Sequence, residues 1–194
     1  MAGELSALNA PTLMIVCITG MPGAGKTTAT QALAETGFQP VSMGDVVRKE
    51  AQRRGLDLGK EGQKKMMLRL RREGGPAAVA KLCGKEIKRR GFTRVVVDGA
   101  RSLEEIEYFR TIGPVKILGI HASPRRRFEL LSARGRKDDP MSFEDFAARD
   151  KRELALGLGE VIAMSDRMIE NERVTIEELD ARVKQVAKEW LSGT

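Results

Sequence analysis

Aromatic residues are scarce in this chain. Phenylalanine, tyrosine and tryptophan make up 4% of the 194 residues, whereas the hydrophobic residues together reach 41%. This balance is typical of a globular α/β protein with a core of aliphatic residues and methionine, and it excludes a disordered chain. Single domains usually hold roughly 100 to 200 residues. We therefore expect one domain that spans residues 1–194.

Cysteine is also rare, with only Cys17 and Cys83 in the sequence. Cys17 lies in an apolar run, and Cys83 lies far along the chain in a stretch with helical spacing. This separation excludes a Cys-x-x-Cys pair and a cluster of thiolate metal ligands. We expect both thiols to lie in the core.

Long apolar runs and targeting signals are absent as well. No run approaches the roughly 20 apolar residues that cross a bilayer. Residues 1–11 lack the basic start and the apolar stretch of a secretory signal. We expect these residues to form a flexible N-terminus and the protein to be soluble and cytoplasmic, without a membrane partner.

Charged side chains, in contrast, are abundant at 31% of the residues, while asparagine and glutamine are scarce. This balance is associated with surface ion-pair networks in heat-adapted proteins, so we expect a thermophilic source. The net charge of +7 predicts attraction to polyanions. The polyanion can be a nucleic acid or a di- or triphosphate, and the charge does not distinguish between them.

Five apolar runs predict the strands of a parallel sheet. Residues 13–19 form a continuous apolar and β-branched run, as expected of a strand buried on both faces. Further strands are predicted at residues 40–42, 94–98, 115–121 and 167–170, and stretches with helical spacing separate them. The alternation indicates an α/β fold with a five-stranded, mostly parallel sheet and helices on both faces.

Three sequence patterns mark helix starts. Ser102 with Glu105, and Thr175 with Glu178, have the spacing of a capping box, and Ser123 precedes a proline as an N-cap does. The last helix carries an apolar stripe that should pack on the sheet, formed by Ile176, Leu179, Val183, Val186 and Trp190.

The first predicted strand runs into a glycine-rich segment that fits the pattern G-x-x-x-x-G-K-[ST]. Such a loop turns successive backbone N–H groups toward a phosphate chain at a helix N-terminus. Lys26 should then reach the β- and γ-phosphates, Thr27 should ligate Mg²⁺, and Thr28 should contact the α-phosphate. The predicted phosphate-binding residues are Gly20, Met21, Pro22, Gly23, Ala24, Gly25, Lys26, Thr27 and Thr28.

Phosphate loops serve switches, motors and kinases alike, and two absences narrow the choice. The chain has no Asn-Lys-x-Asp segment for guanine recognition and no Leu-Ser-Gly-Gly transporter signature. These absences argue against the familiar GTPase and transporter classes.

The loop and four further segments together resemble the nucleoside monophosphate kinase superfamily. The closer resemblance is to archaeal adenylate-kinase-related and dephospho-CoA-kinase-like proteins. The segments are VSMGDVVRKE, VVVDGARSLEE, SPRRRFELLSARGRKDD and SDRMIENERVTIEEL, and the resemblance covers about residues 14–190. It implies a three-layer P-loop NTPase fold with a helical acceptor-binding insertion at about residues 43–92, and a short lid with its following helix at about 132–157. It also implies ATP and Mg²⁺ as cofactors.

The resemblance assigns roles near the carboxyl edge of the sheet. It puts Asp45 near the metal and phosphate centre, and Arg48 and Arg101 on the phosphate of the acceptor. Asp98 ends an apolar strand at the edge where doubly wound sheets bind ligands. It would hold a water on Mg²⁺ or order the phosphate loop, with a helix cap as the alternative. Kinases of this group often carry Thr where Met43 stands, so the acceptor identity stays open.

The resemblance also places a lid after the fourth strand. Arg134 and Arg136 are the candidates for neutralising charge on the transferred phosphoryl group, with Arg149 on the following helix as a third. Surface roles are predicted for Arg125, Arg126 and Arg127. Asn171 lies where these kinases pass a turn over the donor base, so it is a candidate base contact, with a plain polar turn residue as the alternative.

Three functions are compatible with these residues. The leading hypothesis is transfer of the γ-phosphoryl of ATP to a small nucleotide acceptor of the AMP or CMP type. A dephospho-CoA-type kinase would act on a ribose hydroxyl instead, with Asp45 as its general base. A regulator of another class would bind RNA or DNA through a basic helix face formed by Lys60, Lys64, Lys65, Arg69, Arg71 and Arg72.

That basic face is interleaved with Met66, Met67, Leu68 and Leu70 but has no aromatic residue for stacking on bases. An ordinary amphipathic helix is therefore the favoured interpretation, and a nucleic-acid partner is not favoured.

Overall fold

The computed structural model describes residues 13–56, 60–135 and 139–193, with the backbone alone at positions 60, 61 and 64. The predicted N-terminal segment 1–11 and the lid candidate Arg136 lie outside these residues. In the described part of the chain, no helix combines the length and the apolar character needed to cross a membrane.

Five parallel strands form one sheet in the order β2-β3-β1-β4-β5. The strands are β1 (Met14–Thr19), β2 (Gln39–Ser42), β3 (Arg94–Asp98), β4 (Val115–His121) and β5 (Arg167–Glu170). The predicted α/β fold is therefore confirmed. The bounds of β3, β4 and β5 agree with the sequence, while β1 begins one residue later and β2 one residue earlier than predicted.

Helices connect the strands and cover both faces of the sheet. Their bounds are α1 (Lys26–Glu35), α2 (Met43–Arg53), α3 (Lys60–Gly74), α4 (Ala78–Arg90), α5 (Leu103–Arg110), α6 (Pro124–Arg134), α7 (Phe143–Ala155), α8 (Leu158–Ala163) and α9 (Ile176–Ser192). Three of them, α2 to α4, fill the long interval between β2 and β3. The interval between β4 and β5 holds α6, α7 and α8.

Two apolar clusters make the fold three layers thick. On one face of the sheet, residues of α2 to α5 and α8 pack on Ile15, Cys17, Val95 and Ile117. On the other face, α1 and α9 pack on Val16, Ile18, Val96 and Leu118. Because both faces are covered, all six residues of β1 are buried.

Cys17 and Cys83 both lie in the first of these clusters, as predicted for core thiols. Burial away from water disfavours the thiolate and raises the pKa of both. Neither thiol is therefore a nucleophile at neutral pH.

All three predicted helix starts are present, because α5, α6 and α9 begin directly after Ser102, Ser123 and Thr175. Thr175 and Glu178 form a reciprocal capping box, and the Ser123 side chain accepts from the N–H of Arg126 with Pro124 in the first turn. The capping box predicted for Ser102 and Glu105 is wrong, because the Ser102 side chain makes no capping bond. Glu105 points inward instead and is fully buried.

The apolar stripe of α9 is only partly confirmed. Leu179 and Val183 are buried, and Val186 and Trp190 are partly buried against the same cluster. Ile176, at the first turn of the helix, is 70% exposed. It lies at the rim of the cavity described below instead of packing on the sheet.

Candidate active site

The phosphate loop and Asp98 meet because they follow neighbouring parallel strands. The loop begins directly after β1, and Asp98 is the last residue of β3, where it pairs in register with Ile18. The carboxyl ends of parallel strands lie at the same edge of a sheet. The Asp98 carboxylate therefore stands beside the start of the loop, as the sequence predicted.

Glycines give the loop a shape that other residues cannot adopt. Gly20 and Gly25 have φ angles of 143° and 106°, in the left-handed region that favours glycine. A Cβ at Gly20 would lie 2.3 Å from the carbonyl oxygen of Ile120, and a Cβ at Gly25 would lie 2.6 Å from Nδ2 of Asn171. Both distances are too short for a side chain, so the loop holds a cradle that depends on these positions.

We expect Gly25→Ala to weaken nucleotide binding at least about tenfold, because the new methyl group would displace Asn171 and strain the loop. Gly91→Ala is the matched control, since Gly91 also has a positive φ of 64° but has open space around its Cβ position. That control should lose only about 1 kcal/mol of stability. Equilibrium binding of ATP to both variants checks the expectation, and equal affinities would contradict it.

Lys26 is held inside the loop. Its Nζ donates to the carbonyl oxygens of Gly20 at 2.8 Å and Met21 at 3.1 Å. Burial lowers the pKa of this ammonium from 10.5 to about 8, and the nearby Asp98 carboxylate opposes that shift. The charged form of a buried lysine is disfavoured, and a polyanion bound beside Lys26 would stabilise that charged form.

A cavity of about 560 Å³ opens over the loop. We call it the phosphate-loop cavity. Its polar wall includes Lys26, Thr27, Thr28 and Asp98. Its apolar wall comes from α6, α8, α9 and the turn before α9, with Leu130, Leu131, Leu158, Val174, Ile176 and Leu179. The cavity thus combines a phosphate cradle with a surface on which a flat base can lie.

A second cavity of about 560 Å³ lies beside the first, between α2, α3, α4 and α7. We call it the insertion cavity. Its apolar wall is formed by Met43, Val47, Met67, Val79 and Leu156, and its basic groups are Arg71, Arg101, Arg149 and Arg152. Gly44, Gly99, Arg101, Arg149 and Glu153 line both cavities. The two spaces therefore adjoin, and Arg101 and Arg149 stand at their junction.

Arg101 is fixed at this junction by several contacts. Its Nε lies 3.1 Å from Oε2 of Glu153 on α7, and its backbone N–H donates to Glu105 at 2.8 Å. Its Nη1 lies 3.5 Å from the sulfur of Met67 on α3. The junction arginine therefore connects the insertion helices to α7.

The predicted surface role is wrong for Arg127, which is 3% exposed. Its guanidinium donates to both carboxylate oxygens of Asp150, at 2.9 and 2.5 Å, and to the carbonyl oxygen of Pro22 in the loop at 3.1 Å. It also lies over the ring of Phe146, 4.8 Å from the centroid. Arg127 thus joins the phosphate loop to α7.

Arg126 also departs from its predicted surface role, because it lines the phosphate-loop cavity. Arg125 is exposed, as predicted. The three consecutive arginines differ because successive side chains on a helix point about 100° apart. Only the phase of α6 against α7 decides which one turns inward, and no local pattern in the sequence reports that phase.

The remaining lid candidates lie around the same cavity. Arg134 lines it and pairs with Asp139, with Nε at 3.0 Å from Oδ2. Arg149 lines both cavities. Their roles in transfer remain predictions.

Asp45 and Arg48 lie on the exposed side of α2, where they form an ion pair with each other. Nη1 of Arg48 also donates to Oε1 of Gln63 at 3.3 Å. Among the described lining residues, neither Asp45 nor Arg48 belongs to either cavity. The ion pair therefore lies outside the described lining of the cavity that holds Lys26 and Asp98, and the roles assigned to both residues stay predictions.

Asn171 is buried at the end of β5 and lines the phosphate-loop cavity. Its side-chain Nδ2 donates to the carbonyl oxygen of Ala24 at 2.9 Å, and its backbone N–H donates to the carbonyl oxygen of His121 at 2.6 Å. These bonds tie β5 to the phosphate loop, a role that sequence reasoning missed. Contact with a base remains a prediction.

The basic helix α3 is amphipathic, as favoured from the sequence. Met66 and Leu70 are buried, and Arg69 pairs with Glu73 of the same helix. Arg72 is exposed. Arg71 does not belong to the exposed face, because its side chain turns toward α5 and pairs with Glu105.

Together the parallel sheet and the loop define a P-loop kinase-like fold. Residues 19–147 match the family model of the AAA domain. The chain is 47% identical over 184 residues to a UPF0200 protein of Thermococcus kodakarensis, covering 92% of this chain and 99% of that protein. It is 46% identical over 185 residues to a UPF0200 protein of Methanopyrus kandleri, covering 93% of this chain and 92% of that protein. This chain belongs to the UPF0200 family.

Solved structures agree with this fold. TT1252 from Thermus thermophilus has a TM-score of 0.65 at 19% identity, with 92% of this chain and 98% of that chain covered. Shikimate kinase from Acinetobacter baumannii has a TM-score of 0.59 at 17% identity, with 92% and 95% covered. At such identities the likeness concerns the fold alone. The UPF0200 relatives come from thermophilic archaea, in line with the charge balance of this sequence.

Proposed function

We propose that this protein is an ATP- and Mg²⁺-dependent kinase that transfers the γ-phosphoryl group to a small nucleotide acceptor of the AMP or CMP type. The observation that carries the proposal is the pair of adjoining cavities. One holds a phosphate cradle, the other holds arginines over an apolar wall, and Arg101 and Arg149 belong to both. Two substrates bound in these spaces would meet at the junction.

ATP would bind in the phosphate-loop cavity. The backbone N–H groups of residues 20–27 and the Lys26 ammonium would hold its phosphates. Val174, Ile176 and Leu179 would face the base, beside Asn171.

The residues present also fit Mg²⁺. Thr27 and Asp98 offer hard oxygen atoms on the wall of the cavity that holds the phosphate cradle. Mg²⁺ commonly takes one or two protein ligands and completes its shell with water and phosphate oxygens. Bound there, the ion would neutralise charge on the phosphates.

In the transfer step, an oxygen of the acceptor forms a bond to the γ-phosphorus, and the bond from that phosphorus to the bridging oxygen breaks. ADP leaves with the electron pair of the broken bond. Such a step depends on positioning and on cations near the equatorial oxygens. Lys26, Arg149, Arg134 and the predicted Arg136 would supply these cations, with Arg101 on the acceptor side.

A monophosphate acceptor suits the cavities better than a hydroxyl acceptor. A phosphate oxygen is already ionised and needs no general base, whereas a ribose hydroxyl does. Asp45, the base predicted for a dephospho-CoA-type reaction, is paired with Arg48 outside the lining of both cavities. We therefore favour the monophosphate class and retain Asp45 and Arg48 as residues of α2 that would guide the acceptor.

Steady-state release of ADP tests the proposal. The wild-type protein is assayed with Mg²⁺, ATP and one acceptor at a time: AMP, CMP, other nucleoside monophosphates, dephospho-CoA and shikimate. We expect release that depends on a monophosphate and stops when Mg²⁺ is chelated. If none of the acceptors stimulates ADP release, the kinase proposal fails. Salt-sensitive binding of polynucleotides, with ATP hydrolysis at the same rate with and without an acceptor, would favour the regulator.

A further inference from the structure

Arg71 lines the insertion cavity although its place in the sequence belongs to a basic helix surface. Its side chain is 16% exposed, and Nη2 donates to Oε1 of Glu105 at 2.7 Å. Glu105 is 0% exposed, on the first turn of α5. A guanidinium that donates through one nitrogen keeps further N–H groups with which to bind an anion.

The same carboxylate holds Arg101. Oε2 of Glu105 accepts the backbone N–H of Arg101 at 2.8 Å, while Oε1 accepts Nη2 of Arg71. The two nitrogens are therefore within about 8 Å of each other, since a carboxylate is small and both bonds are short. One buried side chain thus fixes the Arg71 guanidinium relative to the backbone of Arg101. The Arg101 guanidinium itself contacts Met67, one helical turn before Arg71 on α3, so both guanidinium groups lie on the same wall of the insertion cavity.

The charges around this pair favour an anion. The described lining of the insertion cavity contains four arginines and two carboxylates. Glu105 pairs with Arg71 and Glu153 pairs with Arg101, so the positive excess comes from the neighbouring Arg149 and Arg152. Arginine matches a phosphate with two parallel N–H donors, which a lysine does not offer. Arg48, by contrast, is paired with Asp45 outside the lining.

We propose that Arg71 and Arg101 form an anion site in the insertion cavity, which binds the phosphate group of a monoester, and that Glu105 is the positioning residue of this site. The inference rests on the proposed function and deepens it, because it names the residues that would hold the acceptor phosphate. The apolar wall with Met43, Val47 and Val79 would cover the body of the ligand.

The test measures binding of methyl phosphate, the smallest organic phosphate monoester, with the phosphate loop first saturated by Mg²⁺ and a non-hydrolysable ATP analogue. AMP and CMP are titrated in the same way. The variants are Arg71→Met and, as the matched control, Arg72→Met, because Arg72 is the exposed neighbour on the same helix. We expect Arg71→Met to weaken methyl phosphate and nucleotide binding about 10- to 100-fold and Arg72→Met to change it less than about twofold.

The outcomes separate the site from the function. One outcome is that methyl phosphate binds in an Arg71-dependent way while AMP and CMP do not bind. This would support the anion site and contradict the proposal of a nucleotide as the acceptor. Equal methyl phosphate binding in the two variants, or no saturable binding to the wild type, overturns the anion site. If Arg71→Met loses affinity for the ATP analogue to the same degree, the anion site is also overturned, because the effect would then be a general loss of structure.

Glu105→Gln tests the positioning role. Glutamine keeps the shape of the side chain but removes the charge that orders Arg71, so we expect weaker methyl phosphate binding with unchanged affinity for the ATP analogue. Glutamine keeps an oxygen that can accept the Arg101 N–H, so its effect falls mainly on Arg71. Adding Arg71→Met to Glu105→Gln should therefore cause less further loss than Arg71→Met causes in the wild type. Fully additive effects would overturn the positioning role.

Discussion

Replacing Lys26 with methionine is expected to weaken ATP binding at least about a hundredfold and, at the same time, to stabilise the nucleotide-free protein at pH 7. The binding loss follows from removing a cation that would donate charge-assisted hydrogen bonds to the phosphates. The gain in stability follows from burial, which lowers the pKa of Lys26 from 10.5 to about 8. A charged group with a lowered pKa is held in the folded state at a cost, here about 1 to 3 kcal/mol. Loss of the bonds to Gly20 and Met21 offsets part of the gain.

The gain should depend on pH with a definite sign. Between about pH 8 and 10.5 the unfolded chain binds a proton at Lys26 that the folded chain releases. The free energy of unfolding contributed by this group therefore rises with pH across that window. The advantage of Lys26→Met is largest below pH 8 and disappears above pH 10.5.

Urea unfolding at a series of pH values checks this, with Lys151→Met on an exposed position of α7 as the control. The difference between variants at each pH is the relevant quantity, because ionisation of Cys17 and Cys83 in the unfolded state acts equally on all of them. A variant that is less stable than the wild type at pH 7, or a difference that does not change between pH 8 and 10.5, would contradict the expectation.

Much of the fold was predictable because its signals are local. The strands β3, β4 and β5 begin and end where apolar runs meet polar or turn residues, so their bounds follow from the sequence. The phosphate loop is equally local, since its glycines, Lys26 and Thr27 all fall within residues 20–27, directly after an apolar strand. Asp98 was found because it ends an apolar strand, and the carboxyl ends of such strands lie at the ligand-binding edge of the sheet.

The residues that sequence reasoning missed all depend on partners far along the chain. Glu105 follows Ser102 with the spacing of a capping box, but Arg71, 34 residues earlier, draws its carboxylate inward. Arg127 owes its burial to Asp150, 23 residues later. Spacing within one helix reports which side chains share a face, not which face another helix covers.

The second large effect concerns Arg127. We expect Arg127→Met to lower the free energy of unfolding by about 3 to 5 kcal/mol, because it leaves the Asp150 carboxylate, 15% exposed, without its cation. The carbonyl oxygen of Pro22 also loses a donor. Arg125→Met is the control, because Arg125 lies on the exposed side of the same helix. It should change the free energy of unfolding by less than about 0.5 kcal/mol. Urea unfolding of the two variants makes the comparison.

A double variant separates stability from the shape of the loop. Replacing a buried ion pair by apolar residues is often neutral, so Arg127→Met with Asp150→Leu should recover most of the lost stability. It should not recover ATP affinity to the same degree, because the link from Pro22 to α7, the helix that carries Arg149, stays broken. If Arg127→Met is as stable as Arg125→Met, the ion pair does not stabilise the fold. If the double variant regains stability and ATP affinity together, Arg127 acts on the loop only through the overall stability of the protein.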